Sequence, residues 1–102
     1  MNKDFLDIFI RQIENLSKAI DKDDYIVDQY GVHQKSAVLD YYVYAAKDLI
    51  KYGEYLIALE NILSNLADAS IFLDEETVSL ARQAFGNNIA KEYILLLEKI
   101  AK

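Results

Sequence analysis

The chain contains no proline and only three glycines among its 102 residues. Proline is excluded from the interior of a helix and glycine weakens it, so a chain nearly free of both is suited to long helices. Gly31, Gly53 and Gly86 each stand where one apolar pattern stops and another begins. We therefore interpret the three glycines as boundaries between helical segments.

Apolar residues recur at helical spacing through most of the sequence. In the first segment Phe9, Ile13 and Leu16 follow one another at intervals close to the ~3.6 residues of a helical turn. The same pattern predicts an all-α fold, a single-domain bundle of about five helices spanning residues 1–102. The predicted helices cover residues 3–20, 35–52, 54–69, 74–85 and 88–102.

Several helix ends carry recognisable signals. Asp74 is placed as the N-cap of the fourth helix, and Leu73 before it is positioned to pack on Val78 across the first turn. Gly53 can supply the left-handed residue that ends the second helix. Asn88 is predicted to cap the last helix.

The connections between helices are less regular. Residues 21–32 break the apolar pattern with several acids, so we predict a connection there, and a strand within residues 25–32 stays an open alternative. The predicted connection between the second and third helices is the single residue Gly53. Glu54 is expected in the first turn of the third helix, where the helix dipole favours a carboxylate.

Composition narrows the class of protein. The absence of cysteine excludes disulfides and thiolate metal sites and favours a reducing cytosol. The first residues lack the charged and apolar blocks of a secretory signal, and no apolar run approaches the ~18 residues that a membrane span requires. We therefore expect a cytoplasmic protein that does not enter the membrane.

Negative charge is concentrated in the middle of the chain. Residues 39–76 contain eight acids against two lysines, so this segment holds the whole formal net charge of −6. That charge repels phosphate backbones, which argues against nucleic acid as a direct ligand, and it raises the encounter rate with a basic protein. A basic polypeptide is therefore the predicted partner.

Tyrosines accompany this charge on the second helix. A step of ~100° per residue places Tyr41, Tyr44 and Tyr52, together with Asp48, on the face opposite the apolar stripe. Exposed tyrosines there are suited to anchor a tight interface, whereas a helix buried on both faces would draw the rings into the core, and the sequence leaves both open. The predicted partner-binding residues are Tyr41, Tyr44, Asp48, Tyr52, Glu54, Asp68, Glu75 and Glu76.

Residues that carry catalysis or bind metals are few. His33 is the only histidine and has no acid at helical spacing to orient it, so we interpret it as a surface or capping residue. Asp24 and Asp28 lack the ligand spacing and the glycine of a calcium loop. We expect no enzyme, no cofactor and no metal, and the enzymatic alternative is a cation held by these two aspartates.

The middle of the chain resembles a known family in a set of short motifs. They are Gly53-Glu54, Ala58-Leu59-Glu60, Leu66 followed by Asp68, and Ile71 and Leu73 before an acidic helix start. In this pattern the chain is similar to small all-helical immunity proteins of bacterial polymorphic toxin systems, including the MafI-like group and those of contact-dependent growth inhibition. The resemblance implies a protein that binds a cognate toxin domain, often a nuclease, and keeps it inactive. The alternative is a structural or regulatory helical module that self-associates, for example as a homodimer.

Overall fold

Five helices and one β-hairpin make up the chain, and the computed structural model describes all of residues 1–102. The predicted single-domain, mainly helical fold is confirmed, and the hairpin lies where the sequence left a strand open. None of the helices is long and apolar enough to cross a bilayer. The elements are α1 (Lys3–Ala19), β1 (Tyr25–Asp28), β2 (Gly31–Gln34), α2 (Lys35–Lys51), α3 (Tyr55–Asp68), α4 (Glu75–Phe85) and α5 (Lys91–Ile100).

The helices form a closed ring around one apolar core. In the order α1, α2, α3, α5, α4, each helix packs mainly against the two beside it, and α4 closes the ring on α1. Burial of the apolar stripes is the main source of stability, since the chain has no disulfide. The largest fully buried side chains are Leu6, Phe9, Ile13, Leu39, Leu59, Ile62, Leu63, Leu66, Ile71, Leu73, Leu97 and Ile100.

A tight turn joins α2 to α3. Gly53 adopts φ +78° after the C-cap, and its N–H donates to the carbonyl of Ile50 at 3.0 Å. The N–H of Glu54 donates to the carbonyl of Leu49 at 3.0 Å, which completes a Schellman motif. Glu54 is consequently the N-cap residue of α3, so the expectation that it lies in the first helical turn is wrong by one position. The turn makes α2 and α3 antiparallel neighbours.

The start of α4 follows the predicted capping pattern. Asp74 is the N-cap, and its carboxylate accepts the N–H of Thr77 at 2.8 Å. Leu73 and Val78, the expected apolar pair of this first turn, are both buried. The backbone before Asp74 is held as well, because Leu73 donates its N–H to the carbonyl of Ile100 at 2.8 Å.

The start of α5 differs from the prediction. Asn88 does not cap this helix, because the N-cap is Ala90 and the helix begins at Lys91. The backbone is extended at Ala90, with ψ 150°, so no helical turn runs back to Asn88. Gly86, at φ +92°, ends α4 and redirects the chain into the connection. Asn88 therefore lies in the connection between α4 and α5 and does not mark the start of α5.

The N-cap of α4 gives a prediction for stability. Asp74→Ala should lower the free energy of unfolding by about 1 kcal/mol, because the N–H of Thr77 loses its acceptor. Hydrogen bonding to Thr77 lowers the pKa of Asp74. The contribution of the cap is therefore present above the ordinary aspartate pKa and is lost as the pH falls through the lowered pKa of the folded state. Urea unfolding at neutral and at strongly acidic pH measures both effects.

Asp48→Ala is the matched control for this measurement, since Asp48 is an exposed acid in the interior of α2 with no capping role. It should leave the free energy of unfolding within ~0.5 kcal/mol of the parent. Equal losses for the two variants would contradict a role of the cap in stability.

Candidate partner-binding surface

Three tyrosines lie on the outer side of α2, two of them within the helix and Tyr52 as its C-cap. Tyr41, Tyr44 and Tyr52 are 66%, 71% and 72% exposed, so their rings are not part of the core. Leu39 and Val43, on the opposite face, are buried and set the rotation of the helix about its axis. The rings therefore lie on the solvent side of the bundle because the apolar stripe of α2 faces inward.

Contacts to α1 hold α2 in this orientation. Ser17 is buried on α1 and donates its hydroxyl to the carbonyl of Ser36 at 2.9 Å, at the start of α2. Near the other end, the Nζ of Lys47 lies 2.9 Å from the carboxylate of Glu14. The side of α2 toward α1 is thus occupied, and the face that carries the tyrosines is left free.

Acidic side chains accompany the tyrosines on the outer surface of the α2–α3 pair. Asp48 is exposed on α2, one helical turn from both Tyr44 and Tyr52. Glu54 lies in the turn and Asp68 is the last residue of α3, and both are exposed. The ion pairs of the chain use other acids, so these three carboxylates have no basic partner within 4 Å. We call Tyr41, Tyr44, Asp48, Tyr52 and Glu54 the tyrosine surface, whereas Asp68 faces the groove beside Tyr42 that is described below.

Glu75 and Glu76 do not join the tyrosine surface. They are exposed in the first turn of α4, which packs mainly against α1 and α5. Their position at a helix N-terminus, where the dipole favours carboxylates, gives them a structural role. Counting charge along the chain groups Glu75 and Glu76 with the tyrosines, whereas the ring of helices separates them in space.

Other acids of the central segment are also engaged elsewhere. The carboxylate of Asp40, on the α1 side of α2, shares the hydroxyl proton of Ser17 with the carbonyl of Ser36. Glu60, on the side of α3 that faces α5, accepts the hydroxyl of Tyr93. The negative charge of residues 39–76 is therefore divided among several faces of the bundle, and only part of it borders the exposed tyrosines.

A second exposed surface, which sequence reasoning missed, is the hairpin. Val27 and Val32 are paired across the two strands and are 74% and 64% exposed, and Tyr25 on the same face is 51% exposed. Ile26 and His33 form the opposite face, which is only partly exposed. The hairpin thus turns its apolar face outward. A cluster of aromatic and β-branched residues beside a glycine was the signal in the sequence.

A groove separates the hairpin from the helices beside it. Its volume is about 700 Å³, and it runs along β1, with Val38 and Tyr42 of α2 on the opposite wall. Burial raises the pKa of Tyr42, and the nearby carboxylates of Asp68 and Asp28 raise it further. The charged residues that line the groove are Asp24, Asp28, Asp68 and Lys35, which leaves the groove negative.

His33 has an acidic partner that the sequence did not predict. Its Nε2 lies 3.2 Å from a carboxylate oxygen of Asp28, so the expectation that no acid orients this imidazole is wrong. Strand pairing brings the two side chains together, and helical spacing was the wrong criterion. The pKa of Asp28 is lowered, mainly by the N–H of Tyr30 and also by His33. No cluster of three or more histidine, aspartate or glutamate side chains is placed to hold a metal ion.

No protein-family model matches the chain, and neither the curated proteins nor the solved structures include one with significant similarity to it.

The Tyr93–Glu60 pair gives a prediction for titration. The hydrogen bond to the Glu60 carboxylate, together with burial, raises the pKa of Tyr93 to about 12. Glu60→Gln should bring that pKa down toward the ordinary value of about 10, because the acceptor loses its negative charge. Absorbance of the tyrosinate between neutral and strongly alkaline pH measures the change, and Tyr93→Phe identifies which ring titrates last.

Glu54→Gln serves as the control for this titration, since Glu54 is exposed and forms no ion pair. It should leave the last tyrosine transition in place. An unchanged transition in Glu60→Gln would contradict a role of the Glu60 carboxylate in raising the pKa of Tyr93.

Proposed function

We propose that the chain is an immunity protein that binds a cognate bacterial toxin domain and neutralises it by stoichiometric association. The partner is a basic domain, in the first instance a nuclease. The observation that carries the proposal is the set of three exposed tyrosines on one face of α2, bordered by carboxylates that have no partner in the chain. The resemblance in sequence to small helical immunity proteins points to the same function.

Exposed tyrosines are well suited to bind a partner. Each ring presents a large apolar area with a polar tip, and such residues dominate the energy of protein interfaces when they become buried. Tyr44 and Tyr52 stand two helical turns apart with Asp48 between them. This spacing gives two anchors separated by a group that can hydrogen-bond to a cationic side chain of the partner.

The charge of the chain selects the class of partner. A nuclease presents a basic surface to the phosphates of its substrate, and a protein of net charge −6 is attracted to the same surface. Attraction of this kind mainly raises the rate of association, while buried aromatic side chains hold the complex together. Binding alone inhibits the toxin, by covering its active site or an adjacent surface, so no catalytic residue is needed.

The size of the surface fits this role. The seventeen residues of α2 extend over about 25 Å, and α3 lies beside it along most of this length. A standard interface buries about 800 Å² on each partner, which the outer faces of two such helices can supply. A homodimer through this surface is the competing proposal, but it would bring two copies of the same unpaired acids together.

Co-expression tests the proposal directly. The chain is produced together with candidate basic toxin domains, in cells whose growth the domain arrests, and the C-terminal domain of any large secreted protein encoded immediately upstream is the first candidate. The proposal predicts restored growth and a one-to-one complex on size exclusion. Persistent growth arrest without a complex, or a tight homodimer that excludes the toxin domain, would refute it.

Truncation of a tyrosine should weaken such a complex strongly. Tyr44→Ala is expected to cost about 2 kcal/mol or more of binding free energy, roughly a thirtyfold rise in Kd, if Tyr44 is an interface anchor. Leu95→Ala is the matched control, because Leu95 is an exposed apolar residue on α5, away from α2 in the ring. Calorimetric titration compares the two variants, and equal effects would remove the tyrosine surface from the interface.

Neutralising acids of the tyrosine surface should act on the rate of association. The double variant Asp48→Asn with Glu54→Gln is expected to slow association about threefold or more at low salt, with a smaller effect at high salt. Glu75→Gln with Glu76→Gln removes the same charge from α4 and should change the rate less. Stopped-flow or surface-based kinetics measures both. A larger effect at α4 would move the interface away from α2.

A further inference from the structure

We propose that the free edge of β1 binds an extended basic segment of the partner as a third strand, with the segment lying in the acidic groove. The inference deepens the proposed function by naming the part of the toxin domain that is recognised, and it rests on that function only for the source of the segment. It is argued from the hydrogen bonding of the hairpin, its exposed face and the charge of the groove.

The outer edge of β1 has unpaired backbone groups. The N–H of Lys35 donates to the carbonyl of Asp24 at 2.8 Å, which begins the ladder between the strands. Hydrogen-bonded pairs alternate along an antiparallel ladder, so the N–H and carbonyl groups of Tyr25 and Val27 point away from β2. No hydrogen bond to another element uses them. An edge of this kind is the template for addition of a strand.

The groove lies along this same edge. Its lining includes every residue of β1, whereas the opposite wall comes from α2 and the C-terminal end of α3. A strand added to β1 would therefore enter the groove and would not extend freely into solvent. Its side chains would alternate between the outward face, beside Tyr25 and Val27, and the inward face, beside Asp24 and Asp28.

Charge complementarity selects a basic segment. Asp24, Asp28 and Asp68 face the groove, and the one basic residue that lines it, Lys35, has its Nζ 3.8 Å from the carboxylate of Asp24. Asp28 lies beside the imidazole of His33, and Asp68 forms no ion pair, so the groove keeps an excess of negative charge. Asp68 ends α3, where the negative end of the helix dipole adds to its charge. A segment that alternates basic and apolar residues places its basic side chains beside the aspartates and its apolar side chains beside the exposed face of the hairpin. A second copy of β1 would instead bring acids together.

The test uses a synthetic capped hexapeptide that alternates arginine and valine, with an otherwise identical peptide in which glutamate replaces arginine. Binding is followed by amide chemical shifts of the protein. We expect the arginine peptide to shift the amides of Tyr25 and Val27 and to bind at least about tenfold more tightly than the glutamate peptide.

Two proline variants separate the edges of the hairpin. Val27→Pro removes an N–H at the free edge of β1, and Val32→Pro removes one at the free edge of β2, while both leave the hydrogen bonds between the strands in place. Val27→Pro should weaken binding of the arginine peptide by about tenfold, since a backbone hydrogen bond is lost, and Val32→Pro should change it little.

Four outcomes overturn the inference. The first three are equal binding of the arginine and glutamate peptides, equal effects of the two proline variants, and an absence of binding by the parent protein. Dimerisation of the parent that Val27→Pro abolishes would also overturn it, because the edge would then bind a second copy. Asp28→Asn provides a check that does not depend on backbone changes, and it should weaken the arginine peptide selectively.

Failure of this inference is distinguishable from failure of the proposed function. If a toxin domain is neutralised equally by the parent and by Val27→Pro, the strand inference fails and the proposed function stands. If the arginine peptide binds at β1 but no toxin domain is neutralised, the groove is a peptide site and the proposed function fails.

Discussion

Burial of one apolar stripe on each helix is the constraint on which the rest of the structure depends. The chain has no disulfide, so the ring of five helices is held by its core and by the hydrogen bonds at its helix ends. Leu39, Val43 and Ala46 lock the rotation of α2. The direction of every other side chain on this helix then follows, because successive residues are ~100° apart. Exposure of Tyr41 and Tyr44 is thus a consequence of core packing.

Much of the fold could be predicted, because a helix with a regular apolar period can be recognised from residues that are close together in the sequence. The Asp74 cap and the glycine turn at Gly53 involve residues within one helical turn of each other, so the sequence contains all the information they need. The hairpin was harder to predict. Its strands have four residues each, and such short runs give little alternation to distinguish a strand from a connection. Its apolar face also points outward, opposite to the usual pattern.

The surface features also differ in whether nearby residues in the sequence are enough to predict them. The grouping of the tyrosines on one face of α2 could be predicted, since one helix and its period define it, but their exposure could not, because it depends on which faces of α2 the other elements cover. The separate position of Glu75 and Glu76 could not, because it depends on the order of helices in the ring. The groove could not be predicted from the sequence, because β1 and the end of α3 are far apart in the chain. Only folding brings Asp28 and Asp68 to the same cavity. Local periodicity contains no information about such long-range neighbours.

The direct passage from β2 into α2 has a mechanical consequence. Gln34 ends the strand and Lys35 begins the helix, with no residue between them to act as a hinge. The hairpin and the tyrosine-bearing helix therefore follow one another as one continuous arm, without an intervening loop. A ligand held at one end of that arm experiences a high effective concentration of the other end, so two weak contacts can combine into strong avidity without any change of shape.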